Sequence, residues 1–285
     1  MDIIEHRIDV GEIQINTAVI GDGPPIILLH GFPHTWRIWA PIIERLCGTR
    51  RVIAPDLRGF GESSHAVDGY DAAALANDIE KLTDALGVAS APVIAIDASV
   101  APAFLFAHQH PERVEGLVLM EGTLGKLPGA EKFFSSGPPW WFGFHAVPGL
   151  AETVLAGNES SYVDWFLASG TRGAGVPDAI RASLHAAFAR RDGLRGPLAY
   201  YRALPESAEQ LVVAAAAAKL TVPTLAIGAE TVGSALADQL RPIAVDLTEA
   251  LIEDSGHIIP IDQPDALLDE LGPFLTRVGG PVSMP

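Results

Sequence analysis

Short, unbroken apolar runs recur along this chain, at Pro25-Ile26-Ile27-Leu28-Leu29, 52–54, Pro92-Val93-Ile94-Ala95-Ile96, 116–120, 224–227 and 250–252. Runs of this length without polar alternation predict strands buried on both faces. Two further extended segments open the chain, 5–10 and 13–20, divided by Gly11. Segments with apolar residues at helical spacing, such as 72–86 and 100–109, separate most of the runs. Strands alternating with helices predict an α/β fold: a mostly parallel central sheet with helices on both faces.

The alternation stops between residues 122 and 218. That stretch carries several helical patterns and no buried strand pattern, and it contains Pro138-Pro139-Trp140-Trp141. An insertion of this kind is expected to pack over the carboxyl ends of the strands, where open α/β sheets bind ligands. The predicted organisation is therefore core over 1–121, helical lid over 122–218, and core again over 219–285. No sequence repeat is seen, and the tail after Arg277 reads as frayed.

Composition changes the picture only by exclusion. The length of 285 residues suits one large α/β domain or a domain with an insertion, and 48% hydrophobic residues indicate an ordinary globular chain. A formal net charge of −16 argues against nucleic acid and anionic membranes as partners. Cys47, the single cysteine, leaves no disulfide framework or zinc cluster and reads as a small core residue. Charge is wrongly placed at Met1–Arg7 for a signal peptide, and no apolar run reaches a membrane span. A cytoplasmic location is expected.

The chemistry begins at Asp97. It stands where the run ending at Ile96 turns into the next helix, a turn that in such folds lifts one side chain above the sheet as a nucleophile between small neighbours. Here those neighbours are Ala95 and Ser99, and the tip is a carboxylate. Ionised at neutral pH, since an unperturbed Asp titrates near about 3.9, it needs no base to attack. A carboxylate attacking an electrophilic carbon forms an ester that water must cleave, which suits epoxide opening or halide displacement.

Several motifs in order then resemble the α/β-hydrolase fold and its epoxide hydrolase branch. They are His30-Gly31-Phe32-Pro33 with Trp36 and Trp39, the loop Ala54-Pro55-Asp56-Leu57-Arg58-Gly59-Phe60-Gly61-Glu62-Ser63, His110-Pro111-Glu112-Arg113-Val114, Tyr200-Tyr201-Arg202-Ala203 and Ser255-Gly256-His257. The match covers nearly the whole length. The resemblance implies hydrolysis of an epoxide to a vicinal diol through an ester at Asp97, with His257 as the base and Tyr201, or Tyr200 by the neighbouring register, as the acid at the epoxide oxygen. Backbone N–H groups of Phe32 and Ala98 are the expected oxyanion donors. For the acid that orients His257, the closest register falls on Val232, which cannot serve. Glu121 is the first choice and Glu230 the second, and a site using neither stays open. Trp140, Trp141, Phe142 and Tyr200 are expected to line the substrate pocket, with Trp141 as a possible second donor. His30 is expected to be structural, while His34 and His145 are set aside as packing residues. No cofactor or metal is implied, and the expected partner is a small-molecule epoxide, bulky and aromatic or polyketide-like. Oligomeric state is left unknown.

Two features depart from the family pattern. The family normally has glycines around the nucleophile where this chain has Ala95, Ser99 and Val100, and Val100 is bulkier than expected. Two other functions were weighed. An Asp-nucleophile dehalogenase would want a Trp or arginines after Asp97, and Ala98 and Ala101 offer neither. A catalytically weak relative binding a small aromatic ligand is the third.

Overall fold

A computed structural model describes residues 3–190 and 192–279. Eight strands form one sheet in the order β1-β2-β4-β3-β5-β6-β7-β8. They are β1 (Glu5–Asp9), β2 (Gln14–Ile20), β3 (Pro25–Leu29), β4 (Arg51–Pro55), β5 (Ala91–Ile96), β6 (Val114–Met120), β7 (Thr224–Gly228) and β8 (Leu247–Leu251). From β4 to β8 neighbouring strands are parallel, while β1 and β2 join antiparallel at one edge.

The apolar runs are strands because both faces of the sheet are covered. Ile27, Leu29, Val93, Ala95, Leu117 and Leu119 enter one hydrophobic cluster, and Ile26, Leu28, Ile94, Ile96, Val118 and Met120 enter the other. Side chains two apart share a face, so each run supplies both layers. On the first face lie α2 (Ala72–Ala85) and α3 (Val100–Gln109). On the second lie α1 (Ala40–Leu46), Trp36, Trp39 and α11 (Pro264–Gly279). The final strand differs from expectation. β8 spans 247–251 instead of 250–252, and as an edge strand it is largely exposed, with only Ile252 buried just beyond it. The chain stays helical through Gly279, past the point where fraying was expected; the rest of that tail, from Gly280, lies outside the described residues, as do Met1 and Asp2.

Among the described residues between β6 and β7 no strand occurs. Five helices fill the interval: α4 (Trp140–Ala146), α5 (Leu150–Leu155), α6 (Glu159–Gly170), α7 (Asp178–Phe188) and α8 (Arg195–Ala217). They roof the carboxyl ends of β3, β5 and β6, so the cavity beneath is walled by Phe32, Asp97 and Glu121 below and by Trp141, Phe166 and Tyr201 above. Two short helices, α9 (Ala235–Leu240) and α10 (Ile259–Asp262), complete the return to the core. No helix among the described residues is long and apolar enough to cross a membrane.

Candidate active site

Asp97 directly follows β5 and opens the turn into α3 with φ of 57°, a left-handed conformation that a non-glycine residue adopts only when its surroundings enforce it. Ser99 is one enforcer. Its hydroxyl accepts the Ile96 N–H at 3.0 Å and lies 2.9 Å from the carbonyl oxygens of Leu29 and Ile96. A serine where the family pattern has glycine thus ties the turn to β3. Val100 is accommodated from the other side, because Gly122 offers no side chain where a Cβ would come within 2.7 Å of Val100 Cγ2.

Around the carboxylate the groups are ordered. Asp97 Oδ1 accepts the N–H of Phe32 at 2.7 Å, and Oδ2 lies 3.3 Å from His257 Nε2. The loop bearing Phe32 approaches this closely because residue 31 is glycine; a Cβ there would fall 2.4 Å from Asp97 Oδ1. Ala98 is buried directly after Asp97.

His257 Nδ1 lies 3.1 Å from Glu121 Oε2. Glu121 follows β6, is buried, and has φ of 45°. Its other oxygen accepts the N–H groups of Ala229 at 2.6 Å and Val232 at 3.3 Å. Val232, where the closest register put the acid, thus supplies only a backbone donor that holds Glu121. Glu230 is exposed and pairs with Arg172 at 3.3 Å, so the second-choice acid is turned away from His257. The His257 loop is itself pinned to the roof, since the Ile258 N–H donates to the Gly170 carbonyl at 2.8 Å.

The charges reinforce one another. Burial alone would lower the His257 pKa, but hydrogen bonds to Asp97 and Glu121 and their negative charge push it up to about 10. Burial likewise opposes ionisation of Asp97, yet His257 and the Phe32 N–H hold it below the usual carboxylate range. At neutral pH the pair is an imidazolium facing a carboxylate.

Above this pair is a cavity of about 710 Å³. Tyr200 and Tyr201, adjacent in α8, both line it. Burial, with the Asp97 charge added, raises both phenol pKa values, so both stay protonated. Trp141 acts the other way on Tyr201 as a hydrogen-bond partner of the phenol.

A model of the α/β-hydrolase fold matches residues 24–153. The crystal structure of wild-type Cfl2 from Burkholderia cenocepacia superposes with a TM-score of 0.87 at 33% identity, over 95% of each chain. A soluble epoxide hydrolase of Corynebacterium sp. (strain C12) is 28% identical over 94% of this chain and 96% of its own. A fluoroacetate dehalogenase of Burkholderia sp is 29% identical over 55% of this chain and 54% of its own. The chain belongs to the α/β-hydrolase family, in its epoxide hydrolase-like branch.

In this α/β-hydrolase the expected aromatic wall is only partly the observed one. Trp141 and Phe142 face the cavity, but Trp140 does not; it is 55% exposed on the outer side, packed 5.5 Å from the Trp165 ring. Trp165 and Phe166 of α6, together with Phe133 and Phe134, complete the wall and were missed. For Trp165 and Phe166 the only signal in the sequence is an aromatic pair inside a helix of weak polarity contrast, and for Phe133 and Phe134 an aromatic pair in a turn segment; neither says which side faces a ligand. His145 was set aside as packing. The structure buries it against Tyr201, with ring centroids 4.4 Å apart, and its Nε2 meets the Tyr162 hydroxyl at 2.6 Å. Burial, with Arg202 nearby, lowers its pKa to about 4. His30 has both ring nitrogens engaged, one with the Gly31 carbonyl and one accepting the Leu57 N–H. Among the described residues no group of three or more His, Cys, Asp or Glu side chains could hold a metal ion.

Proposed function

We propose that this α/β-hydrolase is an epoxide hydrolase that opens its substrate to a vicinal diol through an ester at Asp97. One observation carries the reading: an ionised carboxylate on the strand–helix turn faces, across one cavity, two neutral phenols. A carboxylate and a proton donor on opposite sides of a small electrophile are what epoxide opening requires, since the carbon is attacked while the departing oxygen gains a proton.

In this mechanism Asp97 forms a C–O bond to one epoxide carbon as that carbon's bond to the epoxide oxygen breaks, leaving an alkoxide on the neighbouring carbon. The alkoxide takes a proton from Tyr201, with Trp141 and Tyr200 as neighbouring groups. Ester formation removes the Asp97 charge that raised the His257 pKa, so the imidazolium releases a proton and balances the one lost by the phenol. Neutral His257, oriented by Glu121, then takes a proton from water as that water attacks the Asp97 carbonyl carbon. The Phe32 N–H already touches Asp97 Oδ1 at 2.7 Å and, with the Ala98 N–H, stabilises the oxyanion. The helical segment over 122–218 serves as the lid. The substrate read from the cavity wall is bulky and aromatic or polyketide-like, because Trp141, Phe142, Trp165 and Phe166 present flat apolar faces.

Partial similarity to a fluoroacetate dehalogenase keeps halide displacement as the second reading. The wall lacks an arginine among the described residues, so a small carboxylate substrate has no bidentate partner there. Diol formation from a panel of aryl and polycyclic epoxides decides between them. Wild type is expected to form diol, Asp97→Ala to lose roughly a thousandfold or more, and Tyr201→Phe to lose about tenfold to a hundredfold. One turnover in heavy-oxygen water should label the Asp97 carboxylate, and a second cycle should carry that label into the diol. Turnover surviving in Asp97→Ala would rule out the ester.

A further inference from the structure

Three imidazoles surround Asp97 closely enough for their charges to matter: His30, His34 and His257. Two of them have both nitrogens engaged by protein groups. His30 is tied to Gly31 and Leu57, and His257 lies between Asp97 and Glu121. His34 is different. It is 1% exposed, and neither ring nitrogen has a hydrogen-bond partner. Its backbone is not free to drift, since the His34 N–H donates to the Gly31 carbonyl at 2.9 Å in the loop that brings Phe32 to Asp97. Nor does the ring lie on the cavity wall.

A buried polar ring with two unpartnered nitrogens is rare in folded proteins, and water is the usual partner when protein groups are lacking. The ring belongs to the loop that meets the nucleophile, where the Phe32 N–H reaches Asp97 Oδ1 at 2.7 Å and the His34 N–H closes back on the Gly31 carbonyl, so a water held by the ring sits against that loop. Burial, against the opposing pull of Asp97, lowers the His34 pKa to about 3, so the ring stays neutral with one N–H donor and one acceptor nitrogen. A neutral imidazole can therefore hold water without competing with His257 for a proton.

We propose that His34 binds the hydrolytic water and positions it for breakdown of the Asp97 ester. This rests on the reading of an Asp97 ester given above. The water oxygen bonds to Asp97 Cγ as one water proton passes to His257 Nε2; collapse of the adduct breaks the bond from Cγ to the diol oxygen and returns that proton to it, and the second water proton, left on the Asp97 carboxyl, passes to His257 and restores the carboxylate–imidazolium pair. His34 gains and loses no proton overall.

Two experiments test it. A crystal structure of the wild-type chain at a resolution that reveals waters should show one within hydrogen-bond distance of a His34 nitrogen. A ring with no water beside it overturns the proposal, whatever the substrate proves to be. Intact-protein mass spectrometry during a single turnover gives the second. His34→Leu should form the covalent adduct at close to the wild-type rate but lose it about tenfold to a hundredfold more slowly, and His34→Gln, which keeps a polar partner for water, should recover part of that loss. Unchanged adduct breakdown in His34→Leu, or an equal fall in both steps that His34→Gln does not relieve, overturns the proposal. If wild type forms no adduct with any epoxide, the ester reading fails, and the crystallographic result still decides whether His34 holds a water.

Discussion

At the scale of single residues, His257 reports the electrostatics of the site. Its pKa of about 10 in the folded chain lies above the ordinary histidine value of about 6.5. A raised folded pKa contributes stability that is fully present below the unfolded pKa and is lost as pH climbs through the folded one. The stability from this imidazolium is therefore expected to fade between about pH 6.5 and pH 10. Asp97→Asn removes the carboxylate charge that faces His257 Nε2, so its unfolding midpoint should change less across that window than that of wild type. Urea denaturation at pH 7 and at pH 10 measures the difference; equal slopes in the two proteins would contradict the assignment. Glu121→Gln keeps the shape of the side chain but loses its charge beside Nδ1. It should slow turnover by about two to four orders of magnitude, with adduct accumulating because the base is misoriented, and quenched-flow measurement of adduct and diol separates the two steps.

At the scale of elements, the turn from β5 into α3 explains how a sequence without the usual glycines still makes an elbow. Ser99 bonds the turn to β3, and Gly122 at the end of β6 leaves room for Val100. Gly122→Ala should therefore destabilise by about 1–3 kcal/mol through overpacking, and Val100→Ala in the same chain should recover part of that loss. Only part is expected back, because the new Cβ would also come within 2.9 Å of the Asp97 carbonyl oxygen. Denaturant midpoints of the two single variants and the double variant give the coupling; additive effects would mean that the two sites do not share the contact. The residues 95, 99 and 100 were legible as departures from pattern, but the compensating glycine follows another strand and has no mark in the local sequence.

At the scale of the whole molecule, core and roof meet at the loop that carries His257. Gly170 ends α6, and its carbonyl accepts the Ile258 N–H beside His257. A Cβ on Gly170 would reach within 2.8 Å of Ile258 Cγ1 and 3.7 Å of His257 Cβ. Gly170→Val is expected to push the His257 loop while leaving Asp97 and its turn in place. Ester formation should then survive while ester breakdown slows by about tenfold or more. Diol formation and adduct mass read together decide it, and loss of both steps alike would place the disturbance in the cavity instead.

The sequence by itself determined what depends on neighbours along the chain. Unbroken apolar runs of strand length place both faces of the sheet in the core, and Asp97 at the end of one run places a carboxylate on the turn. The alternation of runs and helical segments predicted the parallel order, and its interruption over 122–218 predicted the helical roof. Only the tertiary structure decided what depends on distant segments meeting. Glu121 and Glu230 are both carboxylates just past a strand, and nothing local separates them. The difference is that Glu121 is buried under the N–H groups of Ala229 and Val232 and reaches His257, while Glu230 turns outward to Arg172. Trp140 and Trp141 are likewise adjacent and identical in type, yet one faces solvent and the other the cavity, because a helix points successive side chains about 100° apart. The strand pattern is written in spacing along the chain, whereas the partner of His257 is set by which loops the sheet order brings together.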